Sequence, residues 1–286
     1  RRIRRRWWLV SRQVVCVAMV RAPSASGYVC LLTRVPLCLY FPHCGCQYTV
    51  HLTPSRLLSG ASGYSFKWCK GAFYPQDIKA DGMLAWYSER LATVEINNTF
   101  YRMPSTTVLE TWAGATPAHF LFAIKASRRI THLARLKAES AAEPLGLFYR
   151  NLAALGAKRG PVLFQLPPNL KKDLPRLSAF LSLLPEDHGA AFEFRDDSWF
   201  SDDVYDALKE AGAALCVSER SDNAPPPLVE TALWGYVRLR LETYADGDLR
   251  RWAQRLGATS WHRIHVYFMH DPTAPDYAKG LMGLGV

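Results

Sequence analysis

The sequence predicts an α/β protein, a single (β/α)8 TIM-type barrel with an irregular N-terminal appendage. Eight short apolar segments recur near 59–64, 92–97, 120–125, 161–166, 190–195, 213–218, 235–240 and 263–269. Helix-like stretches lie between most of them, and strands alternating with helices imply βαβ units and a parallel sheet. Several segments also deliver charge at their C-terminal ends, where barrels of this type carry their active sites. Eight repeats in about 229 residues fit a fold of about 250. A doubly wound open sheet is the runner-up. It needs a glycine-rich phosphate loop after its first strand, and Ser59-Gly60-Ala61-Ser62-Gly63 is no match to Gly-x-Gly-x-x-Gly.

Residues 1–57 precede this pattern and differ from it. They hold nine arginines, no Asp, Glu or Lys, and five of the seven cysteines. They account for most of the formal charge of +10, leaving 26 Lys+Arg against 25 Asp+Glu in 58–286. The basic balance therefore says little about the domain's partners. Arg12 interrupts the apolar runs 7–10 and 14–20, so no span of about 20 apolar residues exists to cross a membrane. Ser24-Ala25-Ser26 resembles a signal cleavage site, and an acid-free, Arg-rich leader also fits a transit peptide. The preferred expectation is an extension that is disordered or not native to the fold, such as upstream sequence read through in frame. His43, Cys44, Cys46 and His51 invite a zinc reading, but Cys-Gly-Cys is tighter than the usual zinc pair. No metal and no cofactor are assigned. Two scattered cysteines, Cys69 and Cys216, suit a reduced, cytoplasmic domain over 58–286.

Within the domain, residues 81–91 carry Met83, Leu84, Trp86, Tyr87 and Leu91 as a first helix. Residues 105–114 follow Pro104, with a capping-box spacing over Thr107–Glu110. Residues 143–157 carry Leu145, Leu147, Phe148, Leu152 and Leu155. Residues 201–211 are the clearest helix: Ser201 is a natural N-cap, Asp202 and Asp203 suit its positive end, Lys209 its negative end, and Gly212 closes it. Asp246 is expected to cap a later helix with Leu249, Trp252 and Leu256 on one face. The connection 219–233 holds Pro225-Pro226-Pro227 and is the weakest helix.

The site candidates come from strand parity. Val94 and Ile96 alternate with Glu95 and Asn97, Phe192 and Phe194 with Glu193 and Arg195, and Val237 and Leu239 with Arg238 and Arg240. With the apolar set facing the helices, the charged set points into the barrel. Lys125 ends the third segment, with Arg128 and His132 in the loop after it, and Gln165 lies in the fourth. Lys125, Arg195, Arg238 and Arg240 outnumber Glu95 and Glu193 by two charges. Unpaired buried cations are costly, and a phosphate or carboxylate ligand offsets them. Glu95 or Glu193 is the candidate general base, with a raised pKa if sequestered. Lys125 is a third catalytic candidate: a Schiff-base lysine if the arginines depress its pKa, with an electrostatic clamp preferred. Asn97, Tyr101, Arg128, His132, Gln165, Arg195, Trp199, Arg238 and Arg240 are the candidate ligand-binding residues. Arg238→Ala is expected to abolish anion binding and leave the fold intact. The competing reading pairs these charges with one another as a structural network.

At these residues the sequence resembles the YecE-like family, domain of unknown function 72. The stretches that carry the resemblance are Ser62-Gly63-Tyr64-Ser65 with Trp68, Lys70-Gly71 and Phe73-Tyr74-Pro75; Val94 to Asn97 through Thr99-Phe100-Tyr101; Trp112; Phe122 to Lys125; Thr131-His132; Gly160 to Pro168; Glu193-Phe194-Arg195 with Ser198-Trp199; and Tyr236 to Leu239. They cover residues 58–271 in order. The resemblance implies a TIM-type barrel and carries over no catalytic residue. Family members usually continue Tyr-Val-Arg-Leu with His-Gly, whereas Arg240-Leu241 stands here. Their eighth strand commonly ends Tyr-Phe-Asn-Asn, whereas Met269-His270 follows Tyr267-Phe268 here.

Three functions compete, and the sequence does not decide whether the protein is an enzyme. The first is an enzyme acting on a small anionic metabolite. The second is a barrel that binds such a ligand without turning it over. The third is a nucleic-acid-associated protein using Arg128, Arg129, Arg135 and Lys137, which a net charge near zero argues against. The expected partner is a small anion, with neither nucleic acid nor membrane, and the oligomeric state is not legible.

Overall fold

The computed structural model describes residues 56–286 in full, apart from 220–226 and 270–271. Of residues 1–55 it describes the backbone of four strands. These are Arg4–Val10, Gln13–Arg21, Tyr28–Val35 and His51–Leu52, joined in one sheet with Arg4–Val10 between the second and the last. The chain divides into two units, residues 1–55 and 56–286. His43, Cys44 and Cys46, the side chain of His51, and the residues His270 and Asp271 lie outside the described set.

The second unit contains eight strands: β1 (Leu57–Ala61), β2 (Thr93–Ile96), β3 (Leu121–Lys125), β4 (Arg159–Gln165), β5 (Ala190–Glu193), β6 (Ala214–Ser218), β7 (Trp234–Leu239) and β8 (Arg263–Phe268). All neighbours are parallel, in the order β1-β8-β7-β6-β5-β4-β3-β2. This is a (β/α)8 barrel, nearly closed. Among the described residues seven α-helices accompany the strands: α1 (Met83–Ser88), α2 (Thr106–Gly114), α3 (Ala138–Leu152), α4 (Leu174–Leu181), α5 (Asp202–Glu210), α6 (Asp246–Gly257) and α7 (Ala274–Gly283). Residues 227–233, the described part of the sixth connection, contain no helix.

Strands β1 and β2 are the two ends of that order, and a side chain spans the seam between them. The hydroxyl of Tyr87, on α1, accepts from the Ala61 N–H (2.8 Å) and donates to the Thr93 carbonyl (2.9 Å). It thus satisfies two buried backbone groups that a sheet ladder would otherwise pair. Gly60 makes the approach possible, because a Cβ there would lie 2.1 Å from the Thr93 carbonyl oxygen.

Two apolar layers result from the alternation of the strands. The layer between strands and helices holds Val94, Ile96, Phe192, Phe194, Val237 and Leu239, as parity predicts. Phe164 stacks on Phe192 (5.2 Å) and Phe180 meets both edge-on. Full burial of each such ring stabilises the fold by about 1.5–3 kcal/mol. The inner layer is a second cluster of Ala123, Leu163, Ala191, Ala214, Cys216, Tyr236 and Tyr267. The barrel is therefore plugged below its mouth by mostly small side chains and two tyrosines, as a packed core rather than a pore.

Several helix caps differ from expectation. Ser105 caps α2, accepting from the Val108 N–H, so the cap precedes the predicted Thr107. Ser201 stands at the N-cap of α5 but makes no cap bond, because its hydroxyl binds the Lys172 ammonium; Asp203 takes the Val204 N–H instead. At α6 the cap is Ala245, whose N–H is bound by Asp248 rather than by Asp246. Helix α3 starts five residues before the expected 143 and accommodates Pro144. Strand β1 starts two residues before the expected 59, and Gly63 already turns away from it with φ +124°.

Candidate functional site

The C-terminal ends of β2, β3, β4, β5 and β7 bring the predicted charges to one place, the mouth of the barrel. At its base lies Arg238, which bridges two carboxylates. Its Nη2 donates to Glu95 Oε1 at 2.9 Å and its Nη1 to Glu193 Oε2 at 2.5 Å. The three side chains are at most 2% exposed. Further donors saturate both carboxylates. Glu95 also accepts from Ser62 Oγ (2.7 Å), Asn97 Nδ2 (2.9 Å) and Tyr236 Oη (2.7 Å). Glu193 accepts from Gln165 Nε2 at 2.9 Å on both oxygens and from Arg195 Nε at 3.1 Å. Arg240 Nη1 stands 3.6 Å from Glu193.

These contacts reverse the pKa direction expected for the carboxylates. Burial by itself raises both, but Arg238 and the converging donors outweigh it. Glu95 is held below the usual carboxylate range, and Glu193 is driven down to about 2. Neither has the raised pKa of a poised general base; both are fixed anions that hold Arg238. Burial would lower the Arg238 pKa, but the two carboxylates raise it further. The expectation that Arg238→Ala leaves the fold intact is corrected on the same geometry. Removing this guanidinium strands two buried carboxylates, a change that typically costs several kcal/mol.

The remaining cations sit higher in the mouth. The Arg195 and Arg240 side chains are 23% and 20% exposed. Lys125 Nζ donates to Gln165 Oε1 at 2.8 Å and lies 4.3 Å above the Phe100 ring. Burial, then Arg238, lower its pKa to about 8, against the opposing pull of Glu193 and Glu95. His132 packs edge-on to Phe100 (4.8 Å), and its Nδ1 is 2.9 Å from Thr131 Oγ1. Burial, then Lys125, Arg195 and Arg128, lower its pKa. The loop carrying His132 contains a π-turn, Arg129–Leu133, and then two non-glycine residues at positive φ, Arg135 (50°) and Leu136 (59°). Leu136 is fully buried, and Arg135 binds the side chain and carbonyl of Asn169 in the loop after β4. These tertiary contacts hold a backbone conformation that costs energy locally.

Other candidates lie elsewhere. Tyr101 is an exposed rim residue against Phe100 (4.9 Å), and Arg128 is exposed beside His132. Trp199 does not face the mouth. It is fully buried, stacks on the helix-facing Phe194 (4.7 Å) and donates to the Leu170 carbonyl (2.7 Å). Sequence reasoning left out Ser62 and Tyr236 as site residues, although Tyr236 shares the parity of Arg238. It also left out Phe100 and Met269, whose Sδ accepts from Arg238 Nη2 (3.3 Å). Asn97 Oδ1, Ser218 Oγ and Arg238 Nε are buried without a hydrogen-bond partner among the described residues.

A separate concavity of about 470 Å³ opens at the opposite end of the barrel, lined in part by Arg159, Asp187, Trp234, His262, Arg263 and His265. Its charged pair, Arg159 and Asp187, is self-matched. The convergent charged side chains are at the other end, where barrels of this type place function. Among the described residues, no group of three or more His, Cys, Asp and Glu could hold a metal ion. No described helix is long and apolar enough to cross a membrane.

Fold and site define the protein as a (β/α)8 barrel with a buried Glu-Arg-Glu core beneath a cationic mouth. Residues 58–284 match the family described as Protein of unknown function DUF72, and the chain belongs to that family. It is 30% identical over 223 residues to UPF0759 protein YunF of Bacillus subtilis, an alignment covering 73% of this chain and 78% of that one. The fold is similar to that of a DUF72 family protein from Thermotoga maritima, with TM-score 0.67 and 22% identity over 80% of this chain and 97% of the other. A DUF72 family protein from Enterococcus faecalis follows with TM-score 0.61 and 18% identity, covering 71% of this chain and 93% of the other.

Proposed function

We propose that the mouth of the barrel binds a small anionic metabolite, bearing phosphate or carboxylate, and that the protein is an enzyme or binder of that ligand. One observation supports this most directly. Among the described residues, Lys125, Arg195, Arg238 and Arg240 gather around two carboxylates, Glu95 and Glu193, and Arg238 bridges both, so four cationic side chains meet two anionic ones in this cluster. In this reading Arg195 and Arg240 clamp the anion, Asn97, Gln165 and His132 supply polar contacts, and Tyr101 and Arg128 form the rim. Glu95 and Glu193 position Arg238, and Lys125 is the group available for chemistry. Cys69 and Cys216 are both buried, which suits a reducing, cytoplasmic setting.

The test is thermal unfolding of the full chain in phosphate, sulfate or citrate at constant ionic strength. At a hundredfold excess over Kd, one bound anion stabilises by about 2.7 kcal/mol, a rise of roughly 5–10 °C for a domain of this size. Arg195→Gln and Arg240→Gln should each reduce the rise, and Lys209→Gln, on the outer helix α5, should not. Equal shifts in all four proteins would reject the mouth as the anion site.

A further inference from the structure

We propose that Lys125 is an amine nucleophile that condenses with the carbonyl group of a small anionic aldehyde or ketone at the barrel mouth. The inference rests on the reading of the mouth as an anion site and deepens it by naming the class of substrate and the bond that forms.

The position of the amine carries the argument. Lys125 is the last residue of β3, at the end where the mouth opens. Among the described residues its Nζ makes no ion pair within 4 Å; its hydrogen bond goes to a neutral amide oxygen, Gln165 Oε1. Gln165 is fixed in turn, because its Nε2 donates to both oxygens of Glu193. The amide orientation is therefore set by the network, and Nζ is held from one side. The Phe100 ring supports it from another, 4.3 Å away. The charged groups around it are Glu95 on β2, Glu193 and Arg195 on or just after β5, Arg238 on β7, and His132 in the loop after β3. Both carboxylates are engaged by Arg238. A lysine serving only as a structural cation would take a carboxylate partner, and this one has an amide instead. Consistent with that placement, its pKa lies near 8, so about half of it is free amine at that pH, against well under 1% of an ordinary lysine. Arg195 and Arg240 then hold the anionic end of the ligand while its carbonyl carbon faces Nζ.

The step balances without an added reagent. The nitrogen lone pair attacks the carbonyl carbon, the carbonyl oxygen takes up the proton that the nitrogen loses, and a carbinolamine forms. The C–O bond then breaks, water leaves and the C=N bond of the Schiff base remains. No electrons are gained or lost.

The experiment uses the full chain with two aldehydes of similar size, glyoxylate, which is anionic, and glycolaldehyde, which is not. Sodium cyanoborohydride reduces any Schiff base, and peptide mass analysis locates the adduct among the ten lysines. The expected result is that glyoxylate modifies Lys125 roughly tenfold or more faster than any other lysine at pH 8. The rate should rise through a midpoint near 8, and Lys125→Met should abolish this adduct. Modification no faster at Lys125 than elsewhere, or a rate that climbs only toward the pKa of an ordinary lysine, would overturn the proposal. The two aldehydes separate this inference from the anion reading. Fast labelling of Lys125 by both at equal rates supports the nucleophile and removes the anion selectivity. Stabilisation of the fold by phosphate with no preferential labelling of Lys125 retains the anion site and rejects the nucleophile.

Discussion

Glu193 shows how a single residue's surroundings decide its role. Its folded pKa, about 2, lies below the ordinary 4.5, so it contributes stability above about pH 4.5 that is lost as pH falls toward 2. A depression of that size corresponds to about 3 kcal/mol. Glu193→Gln should cost about 3 kcal/mol at pH 7, because Arg238 keeps Glu95 but loses a buried charge partner. The gap between wild type and variant in urea unfolding should then narrow steadily between pH 4.5 and 2. A gap that stays constant over that range would show that the carboxylate's charge is not what matters. His265 adds a separate acid-sensitive component that the variant keeps. It is buried, its pKa is pushed down to about 3 by burial and then by Arg263, and the unfolded chain binds its proton more readily between about pH 6.5 and 3. Stability from this group therefore falls as pH drops through that window. Strand parity in the sequence was enough to send Glu95, Glu193, Arg195 and Arg238 inward. It could not give the pKa direction, which depends on how many donors from β4, β7 and the loops after β1, β2 and β5 reach each carboxylate. Trp199 lies in the 3-10 turn Asp197–Trp199, beyond the end of β5, so strand parity says nothing of where it faces.

At the scale of elements, the strands were legible and the devices joining them were not. Each strand is an apolar run bounded by turn residues, so its existence follows from local pattern. The α4 and α7 helices were not singled out, although Asp173 caps α4 by accepting the Arg176 N–H. The seam between β1 and β2 has no local signature at all. It depends on a tyrosine in the intervening helix reaching backbone groups on both strands. Tyr87→Phe keeps the ring packing and removes only the hydroxyl, leaving the Ala61 N–H and Thr93 C=O buried and unpaired. Loss of each such bond costs about 1–3 kcal/mol, so the variant should be destabilised by about 2–5 kcal/mol in chemical denaturation. Hydrogen exchange at the Ala61 amide should accelerate beyond what the global loss explains. Unchanged stability would mean that the seam closes without the hydroxyl.

For the whole molecule, the question is where the folding unit begins. Charge and cysteine content separate residues 1–57 from the rest, and compositional contrast is a signal that needs no tertiary information. Its edge is less well marked, and the structure draws it slightly earlier. Arg56 donates to the Leu256 and Thr259 carbonyls at the C-terminal end of α6 (2.6 and 3.0 Å), and its own carbonyl accepts from the Ile264 N–H (2.7 Å). Arg56 therefore ties the start of β1 to the C-terminal end of α6, and it extends the pairing of β1 with β8. We propose that residues 56–286 fold independently, because every strand, helix and seam contact of the barrel lies within them. A chain beginning at Arg56 should unfold at the same midpoint as the full chain. A chain beginning at Leu58 loses the Arg56 side chain and the first ladder residue, Leu57, which is 1% exposed. That loss should lower the midpoint by several degrees, on the order of 2–4 °C per kcal/mol for a domain of this size. If both shortened chains melted well below the full chain, residues 1–55 would have to contribute to the stability of the barrel, and the independent unit would be the longer one.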